Sequence, residues 1–250
     1  MKQSNRLDSK KLAMSTDRLF DYVIFGNENV VREIIRDRGS ISLEYVTPSG
    51  NCILHVAAKS GHAQIMKMVL GALYAHSPLY ATNFKGNTAL HIAASLGHLD
   101  MSELLITRAI DQEAEVRRLL LKAQNVEQNT ALHLAVKHGH YEIVDLLIKK
   151  EPGLTSITNK AGESPLFLAV DRGFFEIALR ILGTPECSDG GRNNMNVLHA
   201  AVIRAEISEY LQDFNYVSWT YTFSFPLEYS HTYTHTYIYI YTFNFNNHSY

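Results

Sequence analysis

Short amphipathic segments recur along this chain, each followed by a glycine and then by a second amphipathic segment. In each copy a leucine precedes two small or β-branched residues by three and four positions, as in Leu90, Ala93 and Ala94, which places the three on one helix face. Apolar residues then return four, seven and eight positions after the glycine, as in Met101, Leu104 and Leu105. The pattern predicts units of helix, tight turn and helix, in which a glycine such as Gly97 ends the first helix and Thr88, Thr130 or Ser164 caps its start.

The units also share a common sequence. Residues 50–62, 86–98 and 128–140 are close copies, and weaker copies follow over 162–173 and 194–202. Positions equivalent to His55 are 91, 133, 167 and 199. A period of about 33 residues with a core of the Thr-Pro-Leu-His type is typical of ankyrin repeats. We therefore predict an all-α ankyrin-repeat solenoid of stacked helix-turn-helix units joined by short hairpin loops.

We expect the repeats to occupy residues 18–207, because one unit alone cannot bury its apolar face and has to stack on its neighbours. An opening unit is expected at about 19–39, with Gly26 in the place of Gly61. The polar residues 1–17 are expected to be a mobile leader. Further repeats are predicted to start near residues 49, 85, 127, 161 and 193.

The tail, residues 208–250, departs from the repeat pattern. Aromatic and histidine residues fall on odd numbers from Tyr229 to Phe245, a period of two that is typical of a strand. Codons of alternating purines and pyrimidines can encode all of residues 231–242, as in a translated microsatellite or a retained intron. We expect this aberrant aromatic and Thr-rich segment to be low-complexity and disordered, and we expect a transcript with a splice junction near codon 212.

Composition limits the classes of function. Lys and Arg number 23 against 25 Asp and Glu, so the formal charge of −2 gives no broad positive field and predicts no nucleic-acid partner. Cys52 and Cys187 are the only cysteines, which favours a reducing compartment. The chain opens on polar residues, and its most apolar helical stretch, 65–74, is shorter than the roughly 20 residues that a bilayer requires. We expect a cytoplasmic protein without a secretory signal or membrane span, reaching the plasma membrane only through a partner.

Twelve histidines raise the question of a metal site. Equivalent histidines of stacked units are expected about 8–10 Å apart, too far to share a zinc ion with ligand bonds of about 2.0–2.1 Å. We interpret them as residues that tie a loop to the start of a helix, and we expect no catalytic, cofactor or metal site. The recurrent pairs are His55/His62, His91/His98 and His133/His140.

The step of 42 residues between His91 and His133 carries a closer likeness. Its segment 111–133, together with 196–202, resembles plant ankyrin-repeat membrane proteins of the accelerated-cell-death type, over about residues 19–207. That family has an N-terminal ankyrin domain followed by several transmembrane helices, is linked to defence and cell-death signalling, and has been proposed to act as a channel. The chain resembles a member truncated before the transmembrane region. Within the step, residues 113–122 mix both charge signs and are predicted to be a solvated extension of the second helix, with a projecting contact element as the alternative.

The repeat pattern predicts a protein–protein interaction module, and the family resemblance implies a role in plant defence or stress signalling. Its partner is expected on a concave surface built by the first helices and the loops between units. An alternative is a regulatory fragment of a channel-like ankyrin membrane protein, acting through its full-length relative. The candidate binding residues near the loop tips are Ser49, Asn83, Lys85, Glu127 and Lys160.

Overall fold

The structure is a computed structural model that describes residues 18–73, 78–112, 114–185 and 187–207, all within one compact unit, Met1–Ser208. The leader and tail predicted at 1–17 and 208–250 lie outside the described residues. The helices are α1 (18–24), α2 (Glu28–Arg38), α3 (Ile53–Ser60), α4 (Ala63–Ala72), α5 (Ala89–Leu96), α6 (Leu99–Gln112), α7 (Ala114–Leu121), α8 (Ala131–Lys137), α9 (Tyr141–Lys150), α10 (Pro165–Arg172), α11 (Phe175–Leu182) and α12 (Val197–Ile207).

The helices stack in two layers, one of first helices and one of second helices. In the first layer α3, α5, α8, α10 and α12 each contact the next, and α4, α6, α9 and α11 do the same in the second layer. Within the described ranges the only β pairing is two isolated bridges, Ile41 with Leu73 and Gly190 with Asn196. The predicted all-α solenoid is confirmed. None of the helices described here is long and apolar enough to cross a bilayer.

Local sequence explains where the first helices begin and end. The Thr88 hydroxyl accepts a hydrogen bond from the His91 backbone N–H, and the Ser164 hydroxyl accepts from Phe167 N–H. These side chains satisfy amide groups that have no partner inside the helix. At the other end of α5, Gly97 has a left-handed φ of 76°, a conformation that costs glycine little. The predicted caps are confirmed at these positions.

Second helices bury a wider face than their sequence indicates. The positions four and eight residues after the glycine are buried as predicted, for example Met101 and Leu105 in α6, whereas Leu104 is only half-buried. The position five residues after the glycine is also buried, and this was not predicted. A second helix contacts both its own first helix and the second helices of neighbouring units, so its buried stripe widens. The additional buried residues are Met66, Ser102, Val144 and Ala178.

The step of 42 residues contains the additional helix α7. Its exposed side carries an ion pair between Glu115 and Arg118 at 2.9 Å, as a solvated helix would. Leu120 and Leu121, however, are fully buried. The prediction of a solvated extension is therefore wrong for the end of α7, where apolar burial outweighs the charge pattern of the segment.

Candidate binding surface

A histidine in each of the first three repeats connects its helix to the following loop. His91 Nδ1 lies 3.2 Å from the Thr88 backbone nitrogen, which donates to it, and His91 Nε2 lies 2.9 Å from the Asn129 carbonyl oxygen. A carbonyl can only accept, so Nε2 carries the proton. The distances from Nε2 to the carbonyl oxygen are 2.8 Å for His55 and Asn87, and 3.2 Å for His133 and Glu163. These bonds support the interpretation that the histidines tie loops to helix starts.

Burial keeps these histidines neutral. It lowers the pKa of His91 and of His133 to about 4, and it also lowers the pKa of His55. At neutral pH each ring therefore has one N–H donor and one acceptor, which matches its two hydrogen-bond partners. In the part of the chain that the structure describes, no group of three or more His, Cys, Asp or Glu side chains could hold a metal ion.

The loops between units, which we call the fingers, comprise residues 47–51, 83–87, 125–129 and 159–163. Asparagine side chains join one finger to the next. The Asn83 amide nitrogen donates to Asn51 Oδ1 at 2.8 Å, and its oxygen accepts from the backbone N–H of Lys85 and of Asn87 at 3.0 Å. Asn125 and Asn159 donate in the same way to Asn87 and Asn129, both at 2.9 Å.

Main-chain hydrogen bonds also run from each finger to the previous one. Phe84 N–H donates to Ser49 O at 3.3 Å, Val126 N–H to Lys85 O at 3.1 Å, and Lys160 N–H to Glu127 O at 3.0 Å. The approach is so close that a Cβ at Gly86 would lie 2.8 Å from the Val126 backbone nitrogen. The backbone under the finger tips is therefore held in a fixed register.

Four of the five predicted binding residues lie exposed at the finger tips: Ser49, Lys85, Glu127 and Lys160. They occur on successive fingers, so the structure brings them into one row. Asn83 is half-buried, and its carboxamide already bonds to Asn51, Lys85 and Asn87. Asn83 therefore stabilises the fold through these hydrogen bonds. That it also binds a partner stays a prediction.

The positions one, four and five residues after the histidine position share one face of each first helix, because this spacing places them side by side. The first of these positions is apolar and ranges from buried to half-buried, whereas the other two reach solvent. We call this set the first-helix face. It comprises Val56, Lys59, Ser60, Ile92, Ser95, Leu96, Leu134, Lys137, His138, Leu168, Asp171, Arg172, Ala200, Ile203 and Arg204.

Exposed apolar side chains on this side of the molecule were missed by the sequence reasoning, which selected polar loop residues. Phe84 is 75% exposed and Val126 is 59% exposed, and both lie on fingers. Leu96, on the first-helix face, is 46% exposed. The available signal was an apolar residue directly after the asparagine of an otherwise polar turn. A partner that covers these side chains would remove apolar area from water, which favours association.

The fourth repeat connects to the fifth differently, because Phe167 occupies the histidine position. Ser164 N–H donates to Gly190 O at 2.8 Å, so a main-chain bond replaces the bond to a ring nitrogen. The Arg192 guanidinium lies 5.8 Å from the centre of the Phe167 ring, within the range of a cation–π contact. This junction is therefore held by apolar, cation–π and main-chain contacts.

Comparison with known proteins agrees with this geometry. The family model for ankyrin repeats in three copies matches residues 19–116 and 109–157, which together are more than half of the 250 residues. This match identifies the repeats and does not specify a subfamily. None of the curated proteins compared with the chain matches it significantly. The repeated helix pairs, the histidine links and this match together show that the chain belongs to the ankyrin-repeat family.

Proposed function

We propose that this chain is a protein-interaction module whose partner binds across the fingers and the first-helix face. Ankyrin repeats generally mediate protein–protein interaction and are typically not enzymes. The observation that carries the proposal is the contrast between exposed side chains and a fixed backbone. The tips of Lys85 and Glu127 point to solvent while their carbonyl groups accept bonds from the next finger. A surface ordered before binding loses little conformational entropy on association.

The apolar residues of this surface are expected to contribute most of the affinity. Leu96 and Phe84 are exposed in the free chain, so a partner that covers them removes apolar area from water. Residues that dominate binding usually lie in the centre of an interface, surrounded by polar contacts of smaller effect. The polar tips of Ser49, Lys85 and Lys160 are accordingly expected to set orientation more than affinity.

The experiment compares two exposed leucines. The full chain is first used to isolate partners, which are identified by mass spectrometry and purified, and the dissociation constant is then measured by calorimetry. Leu96→Glu on the first-helix face is expected to weaken binding at least tenfold. Leu179→Glu is the matched control, because Leu179 is 48% exposed against 46% for Leu96 but lies in α11, in the layer of second helices. Equal losses in the two variants would contradict the proposal.

A second candidate function follows from the likeness of segment 111–133 to the plant membrane-protein family: a regulatory fragment that acts on a full-length relative in defence or stress signalling. The additional helix α7 lies within this segment. Co-fractionation separates the two candidates. A chain that stays with membranes after a salt wash, through a full-length relative, favours the second function, whereas a chain released into the cytoplasmic fraction favours the first.

A further inference from the structure

Basic residues collect on the first-helix face. Its ten positions four and five residues after the histidine position carry four cations and one carboxylate, although the whole chain has a formal charge of −2. Three of the cations, Lys137, Arg172 and Arg204, lie at or near the ends of the consecutive first helices α8, α10 and α12. The fourth is Lys59, at the end of α3. The face is therefore most basic over repeats three to five.

Neighbouring carboxylates do not neutralise these three cations. Asp171 is bonded by Arg192 at 3.3 Å through both carboxylate oxygens, and Arg192 also pairs with Glu163 at 3.1 Å. Arg204 donates to the main-chain carbonyl oxygen of Asp171, which has no formal charge. Among the described residues, no ion pair involves Lys137, Arg172 or Arg204. Lys137, Arg172, Arg204 and Arg192 together outnumber the carboxylates of Asp171 and Glu163 by four to two, so this part of the face keeps a net positive charge.

Two of the cations, Lys137 and Arg172, lie near the same histidine of the face. Partial burial and then the charges of His140, Lys137 and Arg172 lower the pKa of His138, which shares the end of α8. Other acidic residues of repeats two to four lie in the layer of second helices. Asp100, Glu142 and Glu176 occupy the first turns of α6, α9 and α11, where they complement helix N-termini. The second helices α6, α9 and α11 thus begin with acidic residues, whereas the first helices α8, α10 and α12 end with basic ones.

We infer that repeats three to five bind an acidic segment of a partner protein, which lies in an extended conformation across α8, α10 and α12. The inference rests on the proposed function and names the chemistry of its partner. Packed helices lie about 8–10 Å apart, and an extended chain rises about 3.3 Å per residue. An acidic residue at about every third position would therefore meet Lys137, Arg172 and Arg204 in turn.

Apolar side chains beside these cations add a second requirement. Leu134 is half-buried on α8, and Ile203, adjacent to Arg204 in the sequence, is 50% exposed on α12. The segment between its acidic residues is therefore expected to carry apolar side chains. Electrostatic attraction to exposed cations is screened by salt, so binding is expected to weaken as ionic strength rises.

The test selects random twelve-residue peptides, displayed on phage, against the immobilised full chain. Selected sequences are expected to be net negative, with acidic residues about three positions apart. The strongest peptide is then synthesised and titrated by fluorescence anisotropy. Its affinity is expected to fall at least tenfold in the double variant Lys137→Glu with Arg172→Glu. The control double variant, Lys67→Glu with Lys150→Glu, makes the same change of charge on second helices and is expected to change affinity less than twofold.

A selected pool without excess acidic residues, or equal losses in both double variants, would overturn the inference. If peptides from a pool without excess acidic residues still bound the Leu96→Glu variant more weakly than the wild type, the proposed function would stand and only the acidic partner would be excluded. Binding of the chain to vesicles that contain phosphatidylserine is measured in parallel. If the chain binds these vesicles and selects no acidic peptides, the occupant of the face is an anionic membrane surface and the inferred protein segment is excluded. Circular dichroism checks the helical content of each variant. If reversal lowers it, Lys137→Gln with Arg172→Gln removes the charges without introducing repulsion and must produce the same direction of change.

Discussion

The second and fourth repeats are each connected to the repeat that follows, but through different contacts. In the second repeat, His91 accepts from the N–H of Thr88 and donates to Asn129 of the next finger. In the fourth repeat, Phe167 has no ring nitrogen, and Ser164 N–H bonds directly to Gly190 O. The comparison shows that a stacked unit can be connected either through a buried polar ring or through direct backbone contact. The two connections should respond differently to acid and to mutation.

Acidification is expected to produce the largest difference. The pKa of His91 and His133 is about 4 in the folded state, against about 6.5 in an unfolded chain. Between these values the unfolded state binds more protons, so the free energy of unfolding falls as pH drops below 6.5 and levels off below about 4. The expected loss is about 2 kcal/mol for each histidine at pH 5. Urea unfolding at pH 7.5 and pH 5.0 measures it.

Carboxylates also titrate at low pH, so the His91→Phe variant serves as the reference for this experiment. It is expected to lose about 2 kcal/mol less than the wild type between the two pH values, because one neutral buried ring has been removed. An identical loss in both proteins would contradict the assignment of acid sensitivity to the histidine links. The junction between the fourth and fifth repeats is expected to lack this acid sensitivity, because Phe167 has no ring nitrogen to protonate.

His91→Phe itself tests the comparison at neutral pH, since it places the side chain of the fourth repeat into the second. The substitution leaves a buried N–H at Thr88 and the carbonyl of Asn129 without their partner. We expect the free energy of unfolding to fall by about 2–4 kcal/mol. The reverse change, Phe167→His, is expected to give no gain, because Gly190 O already accepts from Ser164 N–H. If Phe167→His raised the free energy of unfolding by as much as His91→Phe lowers it, the two connections would be equivalent.

Gly191→Ala is expected to break the fourth junction. A Cβ at Gly191 would lie 2.2 Å from Cδ2 of the Phe167 ring, and the resulting overpacking should cost about 1–3 kcal/mol in unfolding free energy. Gly71→Ala in α4 is the control, since its Cβ meets nothing within 4 Å and should stabilise the helix by about 0.5–1 kcal/mol. Introducing Phe167→Leu should relieve part of the cost at Gly191, because the Cβ would also lie 2.9 Å from the Met195 backbone oxygen. If Gly191→Ala lowered the unfolding free energy of the Phe167→Leu protein by the same amount as that of the wild type, the clash with the Phe167 ring would not be its cause.

Cys52→Thr should have the smallest effect and should strengthen the first repeat. Cys52 precedes α3 at the position of Thr88, and its Sγ lies 2.9 Å from His55 Nδ1. A hydroxyl forms stronger hydrogen bonds than a thiol, so the gain is expected to be about 1 kcal/mol. The thermal midpoint measures it. Cys187→Thr is the control, because Cys187 does not precede a helix, and a gain of the same size there would argue against the cap.

Predictions from sequence were most accurate where one residue type has a local role. Gly97 was assigned to a helix end, and Thr88 to a helix start, from spacing alone, and the structure confirms both. The burial of Leu120 and Leu121 was not predicted, because most of the residues that precede them in segment 113–122 are charged and indicate a solvated helix. On the binding surface, the exposed tips followed from the turn pattern, but Phe84 was overlooked because apolar residues are ordinarily assigned to the core.

The sequence by itself determined the repeat, the helix ends and the histidine positions, because these depend on contacts within a few residues and on a pattern that recurs. Only the tertiary structure decided which carbonyl each histidine reaches. It also decided that Arg192 pairs with both Asp171 and Glu163, while Lys137 and Arg172 have no carboxylate partner among the described residues. These pairings join residues in different units, and the distances between units are set by packing across the stack.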